Sequence, residues 1–199
     1  MAKIKICGLM RMEDVEAVNE YLPDYIGFIF APSRRRLTVA QAQQLAAALD
    51  KRIKRVGVFV NEAPDVVEQT RRAAGLDVVQ LYQDAPGQAP VGKVWRGMRV
   101  KDEESVAAIQ KIHADAFVLD AYSKQAYGGT GETFNWQLAQ QAATKKRIVL
   151  AGGLEPGNVC EAIRQVRPFA VDVSSGVESG GQKDADKIRA FIENARSMA

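Results

Sequence analysis

The segment from Ile148 to Val177, IVLAGGLEPGNVCEAIRQVRPFAVDVSSGV, places a helical stretch between two short apolar runs. The runs Ile148–Ala151 and Ala170–Val173 are continuously apolar apart from one aspartate, a pattern typical of strands buried on both faces of a parallel sheet. Asn158–Val166 carries the spacing of an amphipathic helix. Each apolar run is followed by glycine and small residues. The segment therefore predicts a strand–helix–strand unit.

The same alternation extends over the whole chain. Eight apolar runs are predicted as strands: Ile4–Cys7, Tyr25–Phe30, Val56–Val60, Val78–Tyr82, Val94–Val100, Ala116–Asp120, Ile148–Ala151 and Ala170–Val173. Seven segments between and after them are predicted as helices: Met12–Leu22, Val39–Leu49, Asn61–Ala74, Asp102–His113, Asn135–Lys146, Asn158–Val166 and Asp184–Ser197. Thr38 precedes the second helix as a cap, and Pro64 lies in the first turn of the third.

One interval departs from this rhythm. Residues 83–93 contain two prolines and two glycines, which leaves room for a turn but not for a helix of normal length. Eight strands with helical crossovers predict an α/β fold, a (β/α)8 TIM barrel with a shortened or missing helix after strand 4. A doubly wound open sheet is the competing architecture, but no dinucleotide-binding motif follows an early strand. We expect residues 1–199 to form a single domain.

Composition excludes several functional classes. Lys and Arg number 27 against 24 Asp and Glu, so the net charge of +3 gives no reason to expect nucleic acid as a partner. The single histidine, His113, excludes zinc sites built from several histidines. Two cysteines cannot form a disulfide framework, and no apolar stretch approaches the length of a membrane span. We expect a soluble, cytoplasmic protein, either a monomer or a homodimer, with no membrane partner.

Glycine-rich strand ends point to a phosphorylated ligand. In a barrel, function gathers at the carboxyl ends of the strands, and the loops after strands seven and eight often bind phosphate. Gly152-Gly153 and Ser174-Ser175-Gly176 occupy those two positions. Their backbone N–H groups can bind an anion without a formal cation. For each loop taken alone, the alternative to phosphate binding is that its glycines simply form a tight turn.

Three further strand ends carry chemically useful side chains. Cys7 closes strand one, where a phosphate-binding mouth could lower the pKa of the thiol, although an inert buried cysteine is the alternative. Asp120 ends an apolar run, which is an unlikely place for a purely structural carboxylate. A thiolate base opposite a carboxylic acid would suit proton transfer on a sugar. One arginine of Arg34–Arg36 could bind a substrate carboxylate, unless the run is only a solvated surface.

The chain resembles the phosphoribosylanthranilate isomerase family of tryptophan biosynthesis over essentially its whole length. The motifs that carry the resemblance are Lys5–Gly8, Gly27–Phe30, Val56–Asn61, Leu119-Asp120, Tyr127–Gly131, Phe134 and Trp136, Ala151–Leu154, Arg167–Glu178 and Lys183-Asp184. The chain departs from the family pattern at strand four, where Gln80-Leu81-Tyr82-Gln83 replaces Gln-Leu-His-Gly. It also departs in the short segment Asp84–Lys93 and at Asn135, where aspartate is usual.

The resemblance implies an Amadori rearrangement of N-(5′-phosphoribosyl)anthranilate, with no metal and no organic cofactor. It implies that Cys7 is the general base and that Asp120 is the general acid. It further implies that Arg36 binds the anthranilate carboxylate and that Asp172 lies near the ribose. The phosphate would bind around Gly152, Gly153, Ser174, Ser175 and Gly176.

Two other functions remain open at this stage. The first is an isomerase acting on a different phosphosugar, and the second is a non-catalytic phosphate-binding barrel. A ribulose-phosphate epimerase is disfavoured because the chain cannot supply histidine ligands for a metal. The related isomerase of histidine biosynthesis is expected to carry aspartate where Cys7 stands. Retention of both Cys7 and Asp120 favours a catalyst over a binding protein.

Overall fold

The structure is a computed structural model that describes residues 1–82, 92–100, 102–121 and 136–198. In this part of the chain, eight parallel strands pair in sequence order and close into a barrel. They are β1 (Lys3–Cys7), β2 (Tyr25–Ile29), β3 (Lys54–Val60), β4 (Val78–Tyr82), β5 (Lys93–Val100), β6 (Ala116–Ala121), β7 (Ile148–Leu150) and β8 (Ala170–Val173). The predicted (β/α)8 barrel is confirmed.

Seven α-helices lie in the described part of the chain. They are α1 (Met12–Tyr21), α2 (Val39–Ala48), α3 (Pro64–Ala73), α4 (Glu103–Ile109), α5 (Trp136–Ala143), α6 (Val159–Val166) and α7 (Ala185–Arg196). The expected shortening of the helix after strand 4 falls on residues 83–91, which lie outside the described residues. None of the helices in the described ranges combines the length and the apolar character needed to cross a bilayer.

Local chemistry explains where the second and third helices begin. Thr38 Oγ1 accepts a hydrogen bond from the Gln41 backbone, and Gln41 Oε1 accepts one from Thr38 N, so this cap is reciprocal. The prediction that α3 begins at Asn61 is wrong. Asn61 has a φ of 62°, which is left-handed and cannot start a helix, and Pro64 opens α3 instead.

Alternation along each strand separates two layers of the interior. On β8, Val171 and Val173 face the helices, whereas Ala170 and Asp172 face the barrel axis. The lower part of the axis is filled by apolar side chains from β2 to β8: Tyr25, Val56, Val78, Trp95, Ala116, Val118, Val149, Ala151 and Ala170. Among the described residues, the polar side chains of Gln80, Asp120 and Asp172 reach the barrel interior near the carboxyl ends of the strands.

A small antiparallel hairpin follows β8 and was not expected from the sequence. A short 3-10 helix (Ser175–Val177) leads into β9 (Glu178–Ser179), which pairs with β10 (Gln182–Lys183). Asp184 then caps α7 by accepting a hydrogen bond from Lys187 N. The hairpin brings Glu178 and Lys183 to the rim of the barrel mouth.

Candidate active site

A cavity of about 810 Å³ opens at the carboxyl ends of the strands. Cys7, Asp120 and Asp172, on three different strands, all line it. Each of the three is at least nine-tenths buried. The structure therefore brings the predicted base, the predicted acid and the predicted ribose contact into one site.

The floor of the cavity holds a buried ion pair. Lys5 Nζ donates a hydrogen bond to Asp172 Oδ2 at 2.7 Å, and the Lys5 side chain is completely buried. Burial alone would lower the pKa of Lys5, but the charges of Asp172 and Cys7 raise it overall. Asp172 Oδ1, the other carboxylate oxygen, has no hydrogen-bond partner among the described residues. The pair is thus fixed through one carboxylate oxygen, and the other oxygen is buried without a described partner.

The environment of Cys7 differs from the sequence expectation. Burial raises the pKa of the Cys7 thiol above its usual value, so the prediction of a lowered pKa is wrong. The charges of Lys5 and Lys183 act in the opposite direction, whereas Asp172 adds to the increase. The effect of desolvation on the Cys7 pKa exceeds that of the two lysines because the thiol is buried in the barrel.

Gly27 on β2 is required by the position of the Cys7 sulfur. A Cβ added to Gly27 would lie 2.6 Å from Cys7 Sγ, closer than any normal contact. Gly27 is the register partner of Cys7 in the barrel. The glycine therefore makes the space in which the thiol sits.

Strand four contributes two polar side chains to the cavity that the sequence reasoning did not assign to the site. Gln80 Nε2 donates a hydrogen bond to the Tyr82 hydroxyl at 3.1 Å. Gln80 is 2% exposed, and its Oε1 has no partner in the part of the chain that the structure describes. Burial, with the charges of Asp120 and Asp172, raises the pKa of Tyr82 well above its usual value. Inward alternation on β4 was the available signal for both residues.

The glycine-rich loop after β7 and the serine-rich loop after β8 both reach the cavity. Gly152 and Gly153 have φ angles of 84° and 66°, in the region that glycine adopts without strain. Asn158 holds this loop, because its Nδ2 donates to Gly153 O and its Oδ1 accepts from Glu155 N. Four residues of the two loops line the cavity: Gly152, Gly153, Ser174 and Ser175. Gly176 is not among the lining residues and packs against Leu154 of the first loop, so its part in phosphate binding stays a prediction.

The three consecutive arginines have different surroundings. Arg35 is buried and binds both carboxylate oxygens of Glu178, and Arg34 Nη2 also contacts Glu178 Oε2. Arg34 and Arg35 line the cavity. Arg36 is exposed, does not line the cavity, and forms no ion pair within the described ranges. Its role in binding a carboxylate therefore stays a prediction.

Glu178 connects the arginine loop to the wall beside Cys7. Lys183 Nζ donates to Glu178 Oε1 at 2.8 Å and to Ser174 O at 2.9 Å. Ser174 Oγ in turn donates to Cys7 O at 3.0 Å. Burial would raise the pKa of Glu178, but hydrogen bonds from Arg35 and Lys183 lower it to about 2. The carboxylate is therefore ionised and fixes three cations at the rim.

No group of three or more His, Cys, Asp or Glu side chains in the described ranges is arranged to hold a metal ion. The site instead combines a thiol, carboxylates and two glycine-rich loops. Together with the fold, these features define a (β/α)8-barrel protein with the components of acid–base chemistry on an anionic ligand.

Comparisons with known proteins identify the family. The family model described as N-(5'phosphoribosyl)anthranilate (PRA) isomerase matches residues 4–194. An N-(5'-phosphoribosyl)anthranilate isomerase from Thermoanaerobacter sp. (strain X514) is 46% identical over 202 residues, covering 100% of both chains. The chain belongs to the N-(5'-phosphoribosyl)anthranilate isomerase family.

Solved structures agree with this family assignment. The phosphoribosyl anthranilate isomerase from Thermotoga maritima superposes with a TM-score of 0.90 at 38% identity, covering 99% of this chain and 100% of that one. A phosphoribosyl anthranilate isomerase in complex with reduced 1-(o-carboxyphenylamino)-1-deoxyribulose 5-phosphate has a TM-score of 0.85 at 35% identity, with the same coverage. The resemblance read from the sequence motifs is confirmed.

Proposed function

We propose that the chain catalyses the Amadori rearrangement of N-(5′-phosphoribosyl)anthranilate to 1-(2-carboxyphenylamino)-1-deoxyribulose 5-phosphate in tryptophan biosynthesis. The observation that carries the proposal is the convergence of Cys7, Asp120 and Asp172 on one cavity beside two glycine-rich loops. Family membership supports the same reaction. We place the enzyme in the cytoplasm.

The reaction needs one acid and one base in sequence. Asp120 protonates the ribose ring oxygen, which breaks the C1′–O bond and leaves a Schiff base between C1′ and the anthranilate nitrogen. The Cys7 thiolate then removes the proton from C2′, and the electron pair moves to give an enolamine. The product forms when a proton is added at C1′ and the O2′ proton is lost. No net oxidation occurs, and the chemistry uses only proton transfers.

The remaining residues hold the substrate. Asp172 Oδ1, buried and unpartnered within the described chain, accepts a hydrogen bond from a ribose hydroxyl. Backbone N–H groups around Gly152, Gly153 and Ser174–Gly176 bind the phosphate. Arg36 binds the anthranilate carboxylate. Of the three arginines it is the one without an ion pair to a described residue, so its guanidinium can reorient toward the mouth.

The test is turnover of freshly generated phosphoribosylanthranilate, followed by loss of anthranilate-type fluorescence. We expect activity in the wild type and its loss in Cys7→Ala. Cys160→Ala is the matched control, because Cys160 lies on α6 and contacts Asn194 O outside the cavity. A folded wild-type protein without turnover would contradict the proposal and favour a phosphate-binding barrel or an enzyme for another phosphosugar.

A further inference from the structure

The position of Lys5 in the barrel requires a functional explanation. Lys5 and Cys7 are two residues apart on β1, so both side chains point toward the barrel axis. The layer below them is filled by apolar side chains, which would also fit a barrel interior. The chain instead places an ammonium with no solvent exposure two residues before the thiol, on the same face of β1.

A buried ammonium is costly unless it is paired. Asp172 is the register partner of Lys5 where β1 pairs with β8, and it accepts a hydrogen bond from one of the three ammonium N–H groups. Two N–H groups of the ammonium remain, and Cys7, which lies on the same face of β1, contributes to the raised pKa of Lys5. The ammonium therefore lies among two acidic groups, the Asp172 carboxylate and the Cys7 thiol, of which the thiol is the proposed base.

We propose that Lys5 is a positioning residue for the isomerase, whose ammonium stabilises the thiolate form of Cys7 and orients the Asp172 carboxylate toward the ligand. The assignment deepens the proposed function and rests on it for the catalytic role of Cys7. Lys5 does not itself transfer a proton to the substrate.

The charges around Cys7 explain why this cation matters. Asp172 on β8 and Asp120 on β6 share the cavity with the thiol, and the Tyr82 phenol faces it from β4. Burial is the largest influence that opposes ionisation of Cys7, and Lys5 is the largest influence that favours it, ahead of Lys183 on β10. Removal of Lys5 would leave Lys183, whose influence is smaller, as the remaining described cation that favours ionisation of the sulfur.

The experiment measures the rate at which iodoacetamide alkylates Cys7 as a function of pH, with mass spectrometry separating this site from Cys160. The reagent is neutral and reacts with the thiolate, so the rate reports ionisation without any need for turnover. In Lys5→Met we expect Cys7 to react at least about 10-fold more slowly near pH 8, since each pKa unit changes the thiolate fraction tenfold. Lys3→Met is the matched control, because Lys3 lies on the same strand in an exposed pair with Asp24 and should leave the rate unchanged.

A second variant tests the proposal in case Lys5→Met alone does not fold. Lys5→Met/Asp172→Asn removes both buried charges, so no carboxylate is left unpaired. We expect its Cys7 to react more slowly than wild type by about 3-fold or more, yet faster than in folded Lys5→Met. Wild-type alkylation rates in either folded variant would overturn the proposal. If alkylation slows as expected but the wild type does not turn over phosphoribosylanthranilate, the proposed function fails while the stabilisation of the Cys7 thiolate by Lys5 stands.

Discussion

Gly176 packs directly against the carbonyl oxygen of Leu154. A Cβ built on Gly176 would lie 1.9 Å from that oxygen, which no side chain can tolerate. Leu154 belongs to the loop after β7 and Gly176 to the loop after β8. The contact therefore sets the spacing between the two loops to which we assign the substrate phosphate, and it requires glycine because of close approach alone.

Gly176→Ala should separate these two loops. The clash is with backbone, which cannot rotate away, so we expect a loss of about 1–3 kcal/mol in the free energy of unfolding. We also expect KM for phosphoribosylanthranilate to rise at least about 10-fold, since the phosphate contacts are lost. Gly157→Ala is the control, because a Cβ there meets only Glu155 Oε1 at 3.6 Å. Urea unfolding and steady-state kinetics measure both effects, and equal values for the two variants would contradict this role.

Asp120→Asn tests the proposed general acid. Asparagine keeps the shape of the side chain but cannot donate the carboxylic proton, so kcat should fall at least about 100-fold. Asp115→Asn changes a carboxylate just before the same strand, where Asp115 Oδ2 accepts a hydrogen bond from Val94 N at the opposite end of the barrel. Its kcat should stay near wild type. Near-normal turnover in Asp120→Asn would remove Asp120 from the acid role.

Arg36→Ala tests the carboxylate contact. Loss of a charged hydrogen bond should weaken substrate binding by about 1.5–3 kcal/mol. KM should rise accordingly, while kcat changes less. Arg36→Lys keeps the charge but loses the planar fork and should recover only part of the affinity. An unchanged KM in Arg36→Ala would transfer the contact to Arg34 or Arg35, both of which line the cavity.

Glu178→Gln tests the ion cluster at the rim. The substitution leaves Arg35 and Lys183 buried without their carboxylate, so we expect about 3 kcal/mol of destabilisation near pH 7. The pKa of Glu178 is lowered from 4.5 to about 2, so its contribution is complete above pH 4.5 and disappears as pH falls toward 2. The difference in stability between variant and wild type should therefore narrow over that range.

The control for Glu178→Gln is Glu161→Gln, which breaks an exposed ion pair with Arg164. It should cost at most about 0.5 kcal/mol at any pH. Unfolding by urea between pH 7 and pH 3 measures both variants. A difference between Glu178→Gln and wild type that does not depend on pH would contradict the ionised cluster.

Tyr82 and Gly97 should be energetically coupled. A Cβ on Gly97 would lie 2.3 Å from the Tyr82 ring, so the bulky residue that departs from the family pattern fits because β5 carries glycine there. Gly97→Ala should destabilise the protein by about 1–3 kcal/mol. In the Tyr82→Ala background the same change should cost about 1 kcal/mol less, because the ring is absent. Additive costs in this double-mutant cycle would show that the two residues do not compete for space.

Most of the barrel could be predicted because its signal is local. Continuous apolar runs identified all eight strands of the barrel. Errors in the predicted strands and helices concerned where each element begins or ends, as at Asn61, where a left-handed backbone moves the start of the helix to Pro64. Strand ends also located Cys7 and Asp120, and the family resemblance pointed to Asp172. The hairpin that carries Glu178 and Lys183 escaped prediction because each of its strands has only two residues.

The sequence by itself determined the order of strands, the residue at each strand end and the family, because these depend on residue type and spacing along the chain. Only the tertiary structure decided how those groups behave. Lys5 and Asp172 are 167 positions apart and meet because β1 and β8 close the barrel. The same closure buries Cys7, so desolvation raises the pKa of a thiol whose sequence context favoured the opposite shift. Burial and opposing charge arise between distant segments, so they exist only once the chain has folded.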